Sequence, residues 1–248
     1  MNQPLHKTKG VVLRTVKYGE TSLIVSIYTQ KFGLQSYMVQ GVRSATHKTP
    51  ARANYFQAGA LLDLVVYHNE RNHLQRIREF RWSTLYQHLF TDIVKNSVML
   101  YMVELVQKTV QQPEPNDDLF AFFEDALLQL DAARPDITAN FPLYFALHLS
   151  SFFGFQLSLP VSNTCTILDL KEGLFTTKPP AHLFYTQGKT ADALQELLRV
   201  MQPEELTQVP LNQELRRQLL EVIEVFYKLH IPEFGTMRTT PILKEVLS

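Results

Sequence analysis

The spacing of apolar residues changes character once along this chain, close to Trp82, and that change limits the folds open to it. Before Trp82 the apolar residues come in short runs rich in Val, Ile, Thr and Tyr, separated by glycine-centred turns. Such runs read as antiparallel strands joined by tight turns. Val11-Val12-Leu13 leads to the turn Lys17-Tyr18-Gly19-Glu20; residues 23–28 lead to the turn Gln30-Lys31-Phe32-Gly33; residues 34–42 form a third strand. A polar, basic loop over 44–52 follows, in which Pro50 discourages pairing. Residues 60–67 make a fourth strand, apolar enough to predict cover on both faces, and residues 73–81 a fifth. The fifth sets Arg76 and Arg78 on one face at period two. Five short strands in about 80 residues suit a small closed or part-open barrel of the oligonucleotide-binding (OB) type.

Beyond Trp82 the period becomes helical. Val94, Val98, Met102, Leu105 and Val106 share one face of a long helix that Pro113 and Pro115 end. Asn116-Asp117-Asp118 caps a second helix carrying Leu119, Phe122, Phe123, Ala126, Leu127 and Leu130. A third covers 138–153, with Phe141, Phe145, Leu149 and Phe152 as core. Residues 155–188 lose regularity around Pro160, Gly173, Pro179 and Pro180, and helices resume over 192–201 and 214–229. The expected architecture is α+β and multi-domain. An OB barrel over 1–82 precedes a mainly α-helical domain over 83–248 that contains a small irregular insertion at 155–188.

Composition narrows the class further. An apolar fraction of 45% and a charged fraction of 19% are ordinary for a globular protein, and no apolar run approaches the roughly 20 residues a membrane helix needs. The start has no hydrophobic signal core, and the single cysteine, Cys165, allows neither an internal disulfide nor a Cys-based zinc site. A soluble, cytoplasmic protein without cofactor or metal is expected.

The formal net charge of zero is unevenly distributed. Up to Trp82, twelve Lys and Arg stand against four Asp and Glu, a net of +8 that leaves −8 for the remainder. Such asymmetry points to a polyanion-binding module beside an acidic partner. Solvated strand edges guarded by cations are the competing reading. Arg14, Lys17, Lys31, Arg43, Lys48, Arg52, Arg71, Arg76 and Arg78 are the residues fitted to hold phosphates. Tyr18, Phe32 and Tyr37 could stack on bases or pack inside the barrel.

Signals for catalysis do not assemble. Gly188-Lys189-Thr190 lacks the glycine that a phosphate-binding loop needs five places earlier, where Leu183 stands. His68 and His73 flank a turn without a carboxylate–histidine pattern and read as exposed loop residues. Asp117-Asp118 and Glu204-Glu205 fall at helix starts, where acids favour the dipole. Cys165 has no base in sequence reach. No enzyme is expected. A scaffold whose basic domain binds an acidic protein, and a metal-dependent nuclease, are the alternatives to a DNA binder.

Particular segments resemble a known family. Lys9-Gly10-Val11-Val12-Leu13-Arg14, Tyr18-Gly19-Glu20-Thr21-Ser22-Leu23-Ile24-Val25, Tyr28-Thr29-Gln30-Lys31-Phe32-Gly33-Leu34 and Gly41-Val42-Arg43 resemble the bacterial recombination mediators of the RecO family. Tyr227-Lys228-Leu229-His230 and Arg238-Thr239-Thr240-Pro241-Ile242-Leu243 resemble its closing segment. The resemblance implies an OB domain, binding of single- and double-stranded DNA, and annealing of complementary strands. With RecR as partner, it implies loading of RecA onto DNA coated by single-stranded-DNA-binding protein. Some members hold zinc through four cysteines in the insertion; with Cys165 alone, that metal is not carried over. The resemblance further implies docking of the acidic C-terminal tail of single-stranded-DNA-binding protein on the helical half. Lys108, Arg134, Arg216 and Arg217 are the cations placed to meet it.

Overall fold

In the computed structural model, which describes residues 4–43 and 52–247, the first five strands close into a barrel. They are β1 (Leu5–Tyr18), β2 (Ser22–Thr29), β3 (Gly33–Val39), β4 (Leu61–Tyr67) and β5 (Gln75–Trp82). Their order is β1-β2-β3-β5-β4, and β4 returns to pair with β1. Every neighbouring pair is antiparallel except β3 with β5, which share a short parallel contact at Tyr37–Gln75 and Met38–Arg76. This is the OB arrangement expected from the strand texture, with Val12, Val25, Ile27, Leu61 and Val66 among its fully buried residues.

β3 ends at Val39 rather than at residue 42, and two further strands differ from their sequence reading. β1 begins at Leu5, because residues 5–11 are held by β4 while the register with β2 starts at Gly10. One strand thus serves both neighbours and closes the barrel. A bulge between Val12 and Arg14 lets Val11, Val12 and Leu13 all be buried. β4 is covered on both faces only at Leu61 and Leu62; from Asp63 onward buried and half-buried residues alternate.

The chain divides into two compact units, residues 1–87 with 110–128 and residues 88–109 with 129–248. The units therefore do not follow a single cut after Trp82. Residues 110–128 join the barrel because Phe120 packs 6.0 Å from Tyr28 and Lys9 pairs with Glu124 at 2.6 Å. Burial, with Asp117 nearby, pushes the Tyr28 phenol up to about 12.

The helices of the second unit are α1 (Ile93–Thr109), α3 (Pro135–Thr138), α4 (Phe141–Ser151), α5 (Lys189–Leu197), α6 (Gln213–His230) and α7 (Thr239–Val246), while α2 (Asp117–Ala132) runs from one unit into the other. Asn116 caps α2 as its sequence indicates, its Oδ1 accepting from Leu119 N at 2.9 Å. The helix expected over 138–153 is α4 at 141–151, preceded by the separate short α3, which ends at Thr138. Pro142 has no N–H to donate to the Thr138 carbonyl, so the chain breaks there and restarts. Phe141, Phe145 and Leu149 are core as expected, whereas Phe152 is half-buried. α7 was not legible as a helix beforehand. Glu104 of α1 caps its start, accepting from Arg238 N, Thr239 N and the Thr239 hydroxyl.

The insertion carries a three-stranded antiparallel sheet of β6 (Ile167–Asp169), β7 (Leu174–Thr176) and β8 (Tyr185–Gln187), with β6 central. Leu168, Leu170 and Phe175 are buried, whereas Leu174 is 49% exposed because its side alternates away from Phe175. His230 Nε2 bonds the Leu170 carbonyl at 3.0 Å, and its ring stacks on Phe155 at 5.0 Å. These contacts anchor the sheet through packing. Among the described residues, no three His, Cys, Asp or Glu side chains gather as a metal site, and no helix is long and apolar enough to cross a membrane. Chelator treatment is accordingly expected to leave the melting temperature unchanged; a stoichiometric metal in the purified protein, lost together with stability, would contradict this.

Candidate nucleic-acid interface

β3 ends at Val39 and the chain turns through Gly41, whose φ of +70° favours glycine, so that residues 38–42 run beside β5. Between them lies a groove of about 230 Å³. Arg52, Arg76 and Arg78 line it together, with Val42, Ile77 and Phe80 also in its lining. The β4–β5 register slips between Val65 and Val66, where Glu79 and Ile77 are the successive partners, leaving Arg78 as the extra residue. Both Arg76 and Arg78 are exposed.

Arg52 is held at the groove by aromatic rings that sequence reading did not single out. Its guanidinium lies 4.3 Å from the Phe80 centroid and 6.0 Å from that of Tyr55. Tyr55 in turn stacks on Trp82 at 4.9 Å. A cation resting on rings keeps its outward donors available to an anion. Among the described residues neither Arg52 nor Arg76 forms an ion pair, and the 3.4 Å contact of Arg78 with Glu79 is exposed and weak. The backbone N–H of Arg52 donates to the Val42 carbonyl at 2.9 Å, so the two ends of the basic loop meet beside the groove. Lys48 lies outside the described residues.

The β1–β2 hairpin adds a second basic edge. Arg14 and Lys17 are exposed beyond the bulge, and Tyr18 is 52% exposed, open to stacking. Arg43 is tied to the hairpin turn, donating from its backbone N–H to the Thr21 carbonyl and from Nη1 to that of Gly19. Its guanidinium is thus partly committed to positioning the turn.

Lys31 and Arg71 do not join this groove. Lys31 lies in the β2–β3 turn, where Nζ donates to His6 Nδ1 at 3.4 Å, and Arg71 is exposed in the β4–β5 turn. Phe32 stacks on His68 at 3.9 Å, so His68 is not the exposed loop residue its position implied. Burial, followed by the neighbouring His6, lowers the His68 pKa, outweighing the opposite pull of Glu70. Tyr37 requires a correction as a stacking residue. It is 0% exposed inside the barrel, opposite Val25, and desolvation drives its phenol pKa well up.

The helical half also requires corrections. Lys108 Nζ donates to the Phe234 carbonyl at 2.7 Å. Arg216 donates to the carbonyls of Leu211 and Leu247, and Arg217 to that of Lys244 through Nε and Nη2. Both arginines therefore satisfy carbonyls at the end of α7, where a cation complements the helix dipole. Of the four candidate cations Arg134 is the exposed one, and it is paired with Asp136 at 2.6 Å, which lowers the Asp136 pKa. Arg217→Met is expected to lower stability by about 1–2 kcal/mol by orphaning the Lys244 carbonyl. Denaturant titration checks this; an unchanged midpoint would return Arg217 to the pool of available cations.

Comparison with known proteins gives the family. The family described as "Recombination protein O N terminal" matches residues 1–86, and "Recombination protein O C terminal" matches residues 91–238. The chain is 30% identical over 243 residues to a DNA repair protein RecO of Bacteroides fragilis, covering 98% of this chain and 99% of that one. A protein of the same name from Flavobacterium johnsoniae is 30% identical over 249 residues, with 98% and 99% covered. One from Christiangramia forsetii is 29% identical over 239 residues, with 96% and 98% covered. With both family segments matched in order on an OB barrel and a helical region, the chain belongs to the RecO family of DNA repair and recombination proteins.

Proposed function

We propose that this protein is a non-enzymatic recombination mediator whose basic barrel, residues 1–82, binds single- and double-stranded DNA and anneals complementary strands. With RecR it then helps load RecA onto DNA coated by single-stranded-DNA-binding protein. The observation that carries this is the joint lining of one groove by Arg52, Arg76 and Arg78 within a segment of net charge +8. Annealing needs the repulsion between two polyanions neutralised while their bases stay free to pair. Guanidinium contacts to phosphate do the first without reading sequence, and so leave the second untouched. Arg14, Lys17 and Arg43 extend the phosphate track along the β1–β2 hairpin, with Tyr18 beside it for a base.

The helical half takes the tail of single-stranded-DNA-binding protein in this reading. Arg134 is the cation best placed for it, and tail carboxylates would compete there with Asp136.

Equilibrium binding of single- and double-stranded oligonucleotides to the full chain across a salt series, with magnesium or manganese present, tests the reading. Affinity should fall steeply and linearly on logarithmic axes, with the DNA left intact. Affinity insensitive to salt would favour the acidic-protein scaffold, and strand scission would favour a nuclease.

A further inference from the structure

A second cleft in the barrel unit, of about 740 Å³, lies between the β2–β3 hairpin, the β4–β5 turn and the segment bearing Pro113 and Pro115. Its volume falls within the roughly 300–1,000 Å³ of small-ligand sites. The stacked rings of Phe32 and His68 line it, with Lys31 at the rim and Gln35, Ser36 and Asn72 around them. From these features we infer that the cleft receives one unpaired nucleotide of single-stranded DNA, its base extending the Phe32–His68 stack and its phosphate meeting Lys31.

The chemistry selects this occupant. Phe32 and His68 are each half-buried, so the pair keeps an accessible surface although its inner faces are only 3.9 Å apart. A base within a duplex has both faces covered by its neighbours, whereas an unpaired base can add to the stack. His68 is biased toward its neutral form, which makes it a platform for a base rather than a phosphate ligand. The cation is Lys31, whose Nζ also stands 5.8 Å from the Phe32 centroid.

The rim is preorganised. Gln75 is buried, its amide donating to the carbonyls of Asn69 and Asn72 and accepting from Asn69 N, which fixes the turn that carries Asn72. Gln35 donates to the Phe32 carbonyl at 2.8 Å and holds the other edge. A cleft that offers a ring stack, the Lys31 ammonium and fixed amides, with Glu70 the carboxylate on its wall, distinguishes single strands from duplex, which a phosphate groove alone does not.

The inference rests on the DNA-binding reading above, and the experiment separates the two. Short oligothymidylate carrying one 2-aminopurine is titrated with the full chain and with Phe32→Leu, alongside a duplex of the same length. Wild type should quench the probe. Phe32→Leu should abolish the quench and weaken single-strand binding about tenfold, with duplex affinity unchanged. His68→Leu should act in the same direction, and serves if Phe32→Leu does not fold. Quenching and a single-strand to duplex ratio unchanged in the folded variant would overturn the cleft assignment alone. Wild type that binds neither strand would overturn both readings.

Discussion

Reversing Arg52, Arg76 and Arg78 to Glu together is expected to reduce affinity for single- and double-stranded DNA by roughly a hundredfold or more near 0.1 M salt, equally for all sequences. The three residues line one groove, and two of them form no ion pair among the described residues. Each lost phosphate contact removes about 0.9 from the logarithmic salt slope on duplex and about 0.7 on single strands. The triple variant should therefore show a slope shallower by roughly two to three. All three residues are exposed, so the barrel core is untouched and the variant should melt close to wild type. A folded variant that keeps wild-type affinity and slope would move the phosphate track off this groove.

Gly33→Ala is expected to be the most damaging small substitution, costing about 3 kcal/mol or more of stability. Gly33 holds φ at +61°, which strains any L side chain. A Cβ there would also overlap the Glu114 carbonyl oxygen and stand 2.6 Å from its carbon and 3.0 Å from the Glu114 nitrogen. Backbone atoms cannot rotate aside as a side chain can, so either the β2–β3 turn or the segment around Glu114 must shift. Gly19→Ala supplies the control. Gly19 has nearly the same φ of +58° but open space around it, so only the conformational cost of about 1 kcal/mol should appear. Denaturant midpoints of the two variants measure the steric part directly; equal losses would mean the Glu114 contact carries no weight.

The barrel was legible because β-strands write their period locally. Glycines at the corners and Val, Ile and Tyr between them marked five strands, and the closed order follows from so few strands having to cover one core. Its charge was equally legible, since cations cluster in sequence as well as in space. Side-chain direction was less so. Tyr37 shares strand parity with buried Val39 and faces Val25, a relation that emerges only once the β2–β3 register is fixed. Contacts across long separations left no sequence trace. Phe32 finds His68, and Arg52 finds Phe80, only through barrel closure. Arg216 and Arg217 read as available cations because α7, whose carbonyls they hold, had not been recognised as a helix. The Thr-Thr-Pro start of α7 is a usable signal in hindsight, proline being favoured in a first helical turn.

The most direct test is the annealing of complementary strands precoated with single-stranded-DNA-binding protein, followed with and without RecR, for wild type and the Arg52, Arg76 and Arg78 reversal. Wild type is expected to accelerate annealing of coated strands and the groove variant to lose that acceleration while remaining folded. Equal acceleration by the two proteins, or none by wild type with RecR present, would contradict a mediator acting through this groove.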